Sequence, residues 1–562
     1  MKRLQILFLL VLISFGLLAT ETDSTRNKWI GFSSGITLSA QFYRTNNANP
    51  RQQPFMYSIS GAPALDIKGV TMPFSVMYSN QEFAYQQPFN LFGIAPKFKF
   101  GTVYLGTSSL RFSQYSLAGQ RILGAGADLQ FKWLRLGAIY GRLRRQVNPI
   151  GGINDPTTFL IEQEAEAFNR NGYAVKIGFG KQQHYFDIIY FKAFDVTPKN
   201  FIESDWLVKP RKNVVFAIAS QLRLGKKLML KNDWGVSAIT RNTLSDTVEI
   251  DNAFLEKLAA SVLLPQLTSQ VRLAGESQLK WNGKHFSPSI NYKRIELDYT
   301  SLGAYYFLTD IQQFTGAFNS RIFKNKINLS ASFGRQNDNL QKQRLRTSYR
   351  NIGAFNLNYT PNSVWGVQLN YSNFGITQSP LPKSLSDSTR INQVNNSLTL
   401  VPRLIIQKEK SSHTFIPMAG YSALSNLGAS IGDAAANTNY NFTLSYTWQY
   451  LPGVFSLGAT PGFIVSQTQG GEFAGRGASF SVGKMIAKGK FQFNYSSAYF
   501  ANQFNGIDNG YTLNNSIGFS GNIPKWPSFN ISAQQIINQS NNSVASQSFN
   551  EIFVNLSISY NF

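Results

Sequence analysis

The sequence predicts an all-β fold, a single large closed antiparallel transmembrane β-barrel, and three observations support this prediction. Apolar and polar residues alternate along many segments, as expected where one strand face meets lipid and the other meets water. Aromatic residues make up 14% of the chain and charged residues only 15%. No apolar run beyond the N-terminus reaches the roughly 18 residues that a membrane-spanning helix needs. We expect about 22 to 26 strands, with short helical or irregular segments in loops or in the lumen.

The C-terminal segment 551–562 shows the alternation clearly. Its apolar residues fall at every second position, and Phe553 is the one apolar residue on the polar face. A strand tilted by about 45° crosses a bilayer with roughly 9–11 residues. Ile558, Tyr560 and the terminal Phe562 resemble the signal by which bacterial outer-membrane barrel proteins are recognised for assembly. The resemblance implies the cell outer membrane as location and the barrel-assembly machinery as a partner.

The N-terminus predicts export. Lys2 and Arg3 precede an apolar core over residues 4–18, and Ala19 stands before a polar stretch, which is typical of a secretory signal peptide. An N-terminal anchor helix is the alternative. We therefore divide the chain into a signal peptide, 1–19, and an outer-membrane β-barrel, 20–562. The chain has no cysteine, so disulfides and a lipid-modified cysteine are excluded.

The first half of the chain predicts strands separated by irregular stretches. Alternation favours strands at 29–43, 97–104, 123–129, 134–140, 173–180, 185–194, 214–224 and 228–236. The first of these begins so early that no room is left for an N-terminal plug domain. Residues 44–96 contain several prolines, which are typical of loops, edge segments or a constriction folded into the lumen. Apolar residues at four-residue steps predict a short helix over 251–267, and both segments are candidates for a lumen insert.

The second half of the chain is more regular. Strands are predicted at 271–281, 327–333, 355–359, 365–371, 439–450, 491–499 and 551–562. The clearest is 439–450, where Tyr440, Leu444 and Trp448 share one face. Dipeptides such as Asn282-Gly283 between strands suit hairpin turns. A soluble β-solenoid or a row of sandwiches is the structural alternative, but the aromatic residues near strand ends favour a membrane barrel.

Catalytic and metal-binding motifs are weak in this sequence. His184, His285 and His413 are far apart and have no neighbours at metal-ligand spacing. The G-x-S-x-G match at 31–35 and the Gly-rich stretch at 124–128 both lie within strand patterns, whereas the corresponding motifs need a helix after the turn. We therefore predict no enzyme activity, no catalytic residue, no metal and no cofactor.

The basic excess is the most informative chemical feature. The chain has 53 Lys and Arg against 29 Asp and Glu. If apolar faces look outward, the basic residues predicted to face the lumen are Lys97, Lys99, Arg135, Lys176, Arg223, Arg272 and Lys280. The acidic residues predicted on that face are Asp128, Asp187 and Glu276. A positive lumen raises the local anion concentration. Equally, the bases could lie in loops and at interfaces, against lipid phosphates and lipopolysaccharide. Nucleic-acid binding is not expected, since the charge is dispersed and the chain is exported.

Several blocks of the sequence resemble large outer-membrane barrel proteins of Bacteroidota-type bacteria. They are QPFNLFGIAPKFKF (87–100), YSLAGQRILGAGADL (115–129), YTSLGAYYFLTD (299–310), NDNLQKQRLRTSYR (337–350) and NYSNF (370–374). The resemblance implies an outer-membrane barrel of a Gram-negative bacterium. It gives no indication of a substrate.

The sequence therefore predicts a porin-like channel that passes small, preferentially anionic solutes through a polar, net-positive lumen. The alternative is a barrel that does not transport and instead serves as a subunit or scaffold of an outer-membrane secretion, gliding or barrel-assembly complex. In both cases we expect outer-membrane lipid and lipopolysaccharide as partners, and in the second case other outer-membrane or periplasmic proteins.

Overall fold

The computed structural model describes the barrel wall and most connections between its strands. The described residues are 30–33, 35–46, 50, 52–68, 70–80, 91–148, 166–248, 264–305, 308–343, 346–380, 391–426, 436–523, 526–541 and 548–561. The predicted signal peptide, most of the predicted helix at 251–267 and Phe562 lie outside these residues.

The described residues form 26 wall strands. The strands of the first half are β1 (Ile30–Ser33 and Gly35–Thr45), β2 (Phe55–Gly61 and Ala64–Ile67), β3 (Val70–Ser79), β4 (Leu91–Ile94 and Lys97–Phe98), β5 (Gly101–Ser108), β6 (Ile122–Phe131), β7 (Leu134–Arg144), β8 (Asn169–Lys181), β9 (His184–Val196), β10 (Lys212–Leu224), β11 (Leu228–Thr240), β12 (Ser269–Trp281) and β13 (Phe286–Ile295).

The strands of the second half are longer on average. They are β14 (Ile311–Ile322), β15 (Ile327–Asn337), β16 (Arg346–Tyr359), β17 (Trp365–Pro380), β18 (Ile391–Gln407), β19 (Ser411–Asn426), β20 (Asn437–Tyr450), β21 (Phe455–Thr468), β22 (Gly471–Ile486), β23 (Phe491–Phe504), β24 (Ile507–Gly521), β25 (Ser528–Gln539) and β26 (Phe549–Asn561). The described residues include one short 3-10 turn, Glu203–Asp205, and none of their helices has the length and hydropathy to cross a membrane.

The wall closes on itself. Consecutive strands pair in antiparallel fashion, and β26 returns to pair with β1. The closing register places Leu38 opposite Ile558 and Thr45 opposite Glu551. Closure gives the first and the last strand a partner on both sides, so the sheet has no free terminal strand, as a sheet that spans a bilayer requires. The predicted fold class, a single closed barrel of about 22 to 26 strands, is confirmed.

The outer face of the wall is apolar and exposed. Tyr440 is 44% exposed and Leu444 is 36% exposed, so neither packs in a water-soluble core. In the first half of the chain, Ile188 is 52% exposed and Phe216 is 48% exposed. Large apolar side chains exposed in register around a closed barrel are expected where the barrel faces lipid.

The two rims of the barrel differ in the length of their connections. At one rim, two residues join β6 to β7 (132–133) and β8 to β9 (182–183). At the other rim, residues 145–168 join β7 to β8 and residues 241–268 join β11 to β12. We call these the short-turn rim and the long-connection rim. In outer-membrane barrels the short turns are periplasmic and the long loops extracellular.

The prediction that residues 44–96 form a lumen insert is wrong for the described part of that segment. Residues 55–61, 64–67, 70–79 and 91–94 belong to the wall strands β2 to β4. Pro54 precedes β2, while Pro63 and Pro96 lie in the interruptions of β2 and β4. Proline lacks an N–H donor and is tolerated at strand starts and irregularities. These prolines therefore interrupt wall strands and do not end the wall.

Candidate functional site

Two connections from the long-connection rim fold back into the barrel. Residues 109–121 join β5 to β6 and form the first lumen connection. Residues 296–305 and 308–310 lie between β13 and β14 and form the second lumen connection. The Ala118 N–H donates to the Gly303 C=O at 3.0 Å, so the two connections meet. Because several wall strands separate β6 from β13, the connections can meet only across the enclosed side of the wall.

Asp233 on β11 anchors the first lumen connection. Its carboxylate accepts one hydrogen bond from the Ser113 hydroxyl and another, 2.9 Å long, from the Gln114 N–H. A charged acceptor strengthens such bonds, and Asp233 is only 9% exposed. The connection is therefore held against the inner face of β11 at a defined point.

Polar side chains of β10 and β11 anchor the second lumen connection. The Leu302 N–H donates to Asn213 Oδ1 at 3.0 Å, and the Ser237 hydroxyl donates to the Thr300 C=O at 2.6 Å. Asn213 Nδ2 also donates to Ser237 Oγ at 2.8 Å. These bonds satisfy buried polar groups that a loop folded into a barrel would otherwise leave unpaired.

The two lumen connections also bind each other through tyrosine and serine side chains. The Tyr299 hydroxyl donates to the Tyr115 C=O at 2.5 Å, and the Ser301 hydroxyl donates to the Ser116 C=O at 2.5 Å. The rings of Tyr115 and Tyr299 meet edge to face with centroids 6.2 Å apart. Burial raises the pKa of both phenols above their ordinary value, so both remain neutral.

Apolar packing supports the same assembly. Phe112 and Leu117 of the first connection and Leu302 of the second are buried with inner-face residues of β7 to β10, among them Ile139, Ile189, Phe191 and Val215. This part of the wall is therefore apolar on both faces, and the lumen connections cover its inner face. The described connections thus form the insert that we had predicted elsewhere in the chain.

Two ion pairs on the inner face each span a glycine. Arg135 on β7 contacts Asp187 on β9 with N–O distances of 2.7 and 3.0 Å, and Gly178 on β8 lies between them in register. Lys176 Nζ on β8 contacts Asp128 Oδ1 on β6 at 2.6 Å, and Gly137 on β7 lies between them.

The glycines make these pairs possible. A Cβ at Gly178 would lie 1.9 Å from Asp187 Oδ1, and a Cβ at Gly137 would lie 3.0 Å from Lys176 Cε. The missing side chains let acid and base reach each other across the intervening strand. Lys176 also lies over the Phe112 ring, 4.8 Å from its centroid, which adds a cation–π contact to the first lumen connection.

A third acid binds bases near the long-connection rim. Asp195 contacts Arg170 with N–O distances of 2.7 and 3.0 Å, and its Oδ2 accepts the Arg211 N–H at 2.9 Å. Arg211 lies just before β10, and burial together with the neighbouring charge of Arg170 lowers its pKa. Asp195 therefore pairs with the guanidinium of Arg170 but binds Arg211 through its backbone N–H, so one acid faces more than one base in this region.

Three of the predicted lumen bases, Arg223, Arg272 and Lys280, lie on the inner face of β10 to β12 by register. Arg223 and Lys280 each lie opposite Met229, and Arg272 lies opposite Ser237, which contacts the second lumen connection. Lys231, opposite Gln221 and Gln278, shares this face. Within the described residues none of these four bases forms an ion pair; Arg223 instead donates to Gln183 Oε1 at 2.7 Å.

The acids beside these bases are fewer. Glu276, a predicted lumen acid, lies opposite Asp233 and Lys293 in register. Asp233 is the acid that holds the first lumen connection. On β10 to β13 the inner face therefore carries more basic than acidic side chains.

The remaining two predicted lumen bases lie near the short-turn rim. Lys97 belongs to β4 and lies opposite Thr71 and Thr102. Lys99 lies in the turn that joins β4 to β5, so it is a rim residue and not part of the wall face.

The inner face of the last strands is polar and almost free of charge. Hydroxyls bond to each other across neighbouring strands, as in Thr37 with Ser559 at 2.8 Å and Ser496 with Ser516 at 2.7 Å. A concave surface there is lined mostly by serine, asparagine, glutamine and glycine, including Ser481, Asn494 and Gln534, and it has no charged residue in its lining. The lumen wall thus has one charged side that carries the lumen connections and one neutral polar side.

Sequence reasoning missed the residues that hold the lumen connections. Asp233 and Asn213 looked like ordinary polar positions of strands, since their partners lie 120 and 89 residues away along the chain. The sequence did carry a signal for the ion pairs on β6 to β9, because Asp128, Gly137 and Lys176 lie on successive predicted strands.

The predicted assembly signal closes the barrel. Ile558 pairs with Leu38 and Phe529, and Tyr560 pairs with Ile36. Phe562 lies outside the described residues. The histidines do not cluster with acids: within the part of the chain that the structure describes, no group of three or more His, Cys, Asp or Glu side chains could hold a metal ion.

These features define a class: a large closed β-barrel with a partly lined lumen. No protein-family model matches this sequence, and no curated protein matches it. Among solved structures it is similar to OccAB4 of Acinetobacter baumannii, with a TM-score of 0.31 and 11% identity over 67% of this chain and 97% of that one.

Two further solved structures give TM-scores and sequence identities in the same low range. OccK8 (OprE) of Pseudomonas aeruginosa matches with a TM-score of 0.30 and 11% identity, over 70% of this chain and 98% of that one. The FrpB iron transporter of Neisseria meningitidis matches with a TM-score of 0.38 and 10% identity, over 94% of this chain and 81% of that one. At these values the similarities concern the barrel architecture alone.

Proposed function

We propose that this protein is an outer-membrane channel that passes small polar solutes and prefers anions. The outer-membrane location is supported by the closed 26-stranded wall with its exposed apolar outer face, the form in which sheets cross that membrane. At this strand number side chains cannot fill the interior. The protein acts by passage and not by catalysis.

One observation carries the anion preference: among the described residues, the basic side chains on the inner face of β10 to β12 form no ion pair and outnumber the acids beside them. Arg135 and Lys176 are neutralised by Asp187 and Asp128, so they contribute little to the field in the lumen. Arg223, Lys231 and Lys280 share the inner face by register without ion pairs. Fixed charge of one sign raises the local concentration of the opposite ion.

The test is the reversal potential of single channels in planar bilayers under a salt gradient. The triple variant Arg223→Gln, Lys231→Gln, Lys280→Gln removes the proposed source of selectivity. In water a unit charge about 8 Å from a passing ion contributes roughly 0.5 kcal/mol, and screening at 0.1 M salt about halves this. Three charges should therefore lower the anion-to-cation permeability ratio by roughly threefold or more.

The matched control removes three bases from the outer face. Lys192, Lys212 and Arg476 lie in register with the outer-face residues Val214, Phe194 and Phe463. Changing them to glutamine should leave the reversal potential unaltered. Equal effects of the two triple variants would contradict a lumen origin of the selectivity. A wild-type protein that inserts without conducting would favour the scaffold alternative.

A further inference from the structure

The short-turn rim carries lysines and almost no acids. Six of its turns contribute Lys68, Lys132, Lys227, Lys284, Lys324 and Lys488, which we call the rim lysines; all six are exposed. Among the described residues of all the turns at this rim Glu409, in the turn 408–410, is the one acid. At the long-connection rim charges of both signs pair, as in Lys209 with Glu203 and Arg241 with Asp298.

The backbone at several rim lysines is unusual. Lys68, Lys132, Lys324 and Lys488 have φ values of 51°, 50°, 56° and 57°. This left-handed region favours glycine and asparagine, and other turns of this chain use them there, as at Gly225 (φ 67°) and Asn505 (φ 50°). Phe323 and Ala487 in the same turns share this backbone conformation, which directs the lysine side chains of these tight turns outward from the rim, where they are exposed.

Exposed aromatic rings lie directly beside the rim lysines. Trp133 is 60% exposed and stacks on Phe179 with centroids 5.5 Å apart. Phe323 is 70% exposed, and Lys227 lies 5.6 Å from the centroid of the Trp281 ring. Aromatic side chains at the end of an apolar outer face mark the level of the lipid headgroups. The lysine ammonium groups therefore lie at the level of lipid phosphates.

From this juxtaposition we propose that the short-turn rim is a binding surface for anionic phospholipid headgroups of the periplasmic leaflet. The ring of rim lysines supplies the charge, and the neighbouring aromatic rings contact the upper acyl chains. An acidic protein would need the lysines but not lipid-facing rings at the same level, so lipid is the occupant that the surface favours. The proposal concerns this rim and is independent of what passes through the lumen.

The test compares phosphatidylglycerol with phosphatidylcholine around the intact barrel. The purified protein is reconstituted in bilayers that contain one of the two lipids in brominated form, and quenching of tryptophan fluorescence gives their relative binding. The wild type should prefer phosphatidylglycerol. The variant Lys132→Asn, Lys324→Asn, Lys488→Asn should reduce that preference by on the order of tenfold. Asparagine suits the left-handed turns, so the variant keeps the fold.

The control changes three exposed bases of the long-connection rim, Arg44, Lys199 and Lys342, to asparagine. It should keep the wild-type preference. Equal binding of the two lipids by the wild type would overturn the proposal, as would an unchanged preference in the rim variant. An equal loss in the control would also overturn it, because the effect would then follow net charge and not this rim.

Discussion

A methyl group at Gly178 should break the ion pair that this glycine separates. Gly178 lies between Arg135 and Asp187 on the inner face, and a Cβ there would lie 1.9 Å from Asp187 Oδ1 and 2.9 Å from the Phe186 C=O. In Gly178→Ala the carboxylate must move away. Its two contacts with the Arg135 guanidinium, 2.7 and 3.0 Å long, are then lost.

The expected destabilisation follows from how buried the pair is. Removing one partner of a buried ion pair costs about 3–5 kcal/mol, because the other charge remains buried without compensation. The Asp187 side chain is 3% exposed and that of Arg135 is 16% exposed, so some solvent reaches the arginine. We therefore expect Gly178→Ala to lower the free energy of unfolding by about 3 kcal/mol.

Urea unfolding of the refolded barrel in phospholipid vesicles, followed by tryptophan fluorescence, measures this loss. Gly518→Ala is the matched control, because Gly518 lies on the inner face of β24 and a Cβ there meets nothing within 4 Å. The control should stay within about 0.5 kcal/mol of the wild type. In the background Asp187→Ala the same Gly178→Ala change should cost much less, since the displaced oxygen is gone. Similar losses with Asp187 present or absent would refute the ion-pair explanation.

Three further changes test the lumen connections and the closing strand. Asp233→Ala removes the acceptor for Ser113 and Gln114, so single-channel conductance should rise or become noisier, while Glu276→Ala, which removes a neighbouring charge, should not have this effect. Tyr299→Phe removes the hydroxyl that binds the Tyr115 C=O and should lower stability to urea by about 1 kcal/mol; no loss would mean that the bond contributes nothing. Phe562→Ala should reduce the amount of barrel in the outer membrane by immunoblot, and normal levels would count against the predicted assembly signal.

The wall strands could be predicted from sequence because apolar and polar residues alternate, with a period of two residues, along a strand that has an apolar and a polar face. Leu444 and Ile558 lie on the apolar face that alternation assigned to them, and no distant partner was needed to see this. The interruptions at Pro63 and Pro96 misled the prediction, since a proline that interrupts a wall strand reads like a proline in a loop.

The lumen connections could not be predicted in the same way. Their apolar residues, such as Phe112 and Leu117, are buried against strands β7 to β10, and nothing in the local pattern separates that packing from a lipid-facing strand. Their position is set by Asp233 and Asn213, which contact them from far along the chain. Only the assembled barrel brings these groups together.

The inner charges on the first strands follow a rule that bears on selectivity. Seven inner-face residues, one on each strand from β2 to β8, lie side by side in register. Acids and bases alternate on every second strand, and a threonine or a glycine lies on each strand between them. In strand order the residues are Asp66, Thr71, Lys97, Thr102, Asp128, Gly137 and Lys176. Alternation at this spacing cancels charge locally, as the contact of Lys176 with Asp128 shows. The rule fails at β11 and β12, where Asp233 and Glu276 are direct neighbours and Asp233 is occupied by the first lumen connection. The bases nearby then outnumber the acids, and Arg321, Arg350 and Arg403 extend the basic inner face by register beyond β13. An anion preference would therefore arise from the inner face of β10 to β18 and not from the overall charge of the chain.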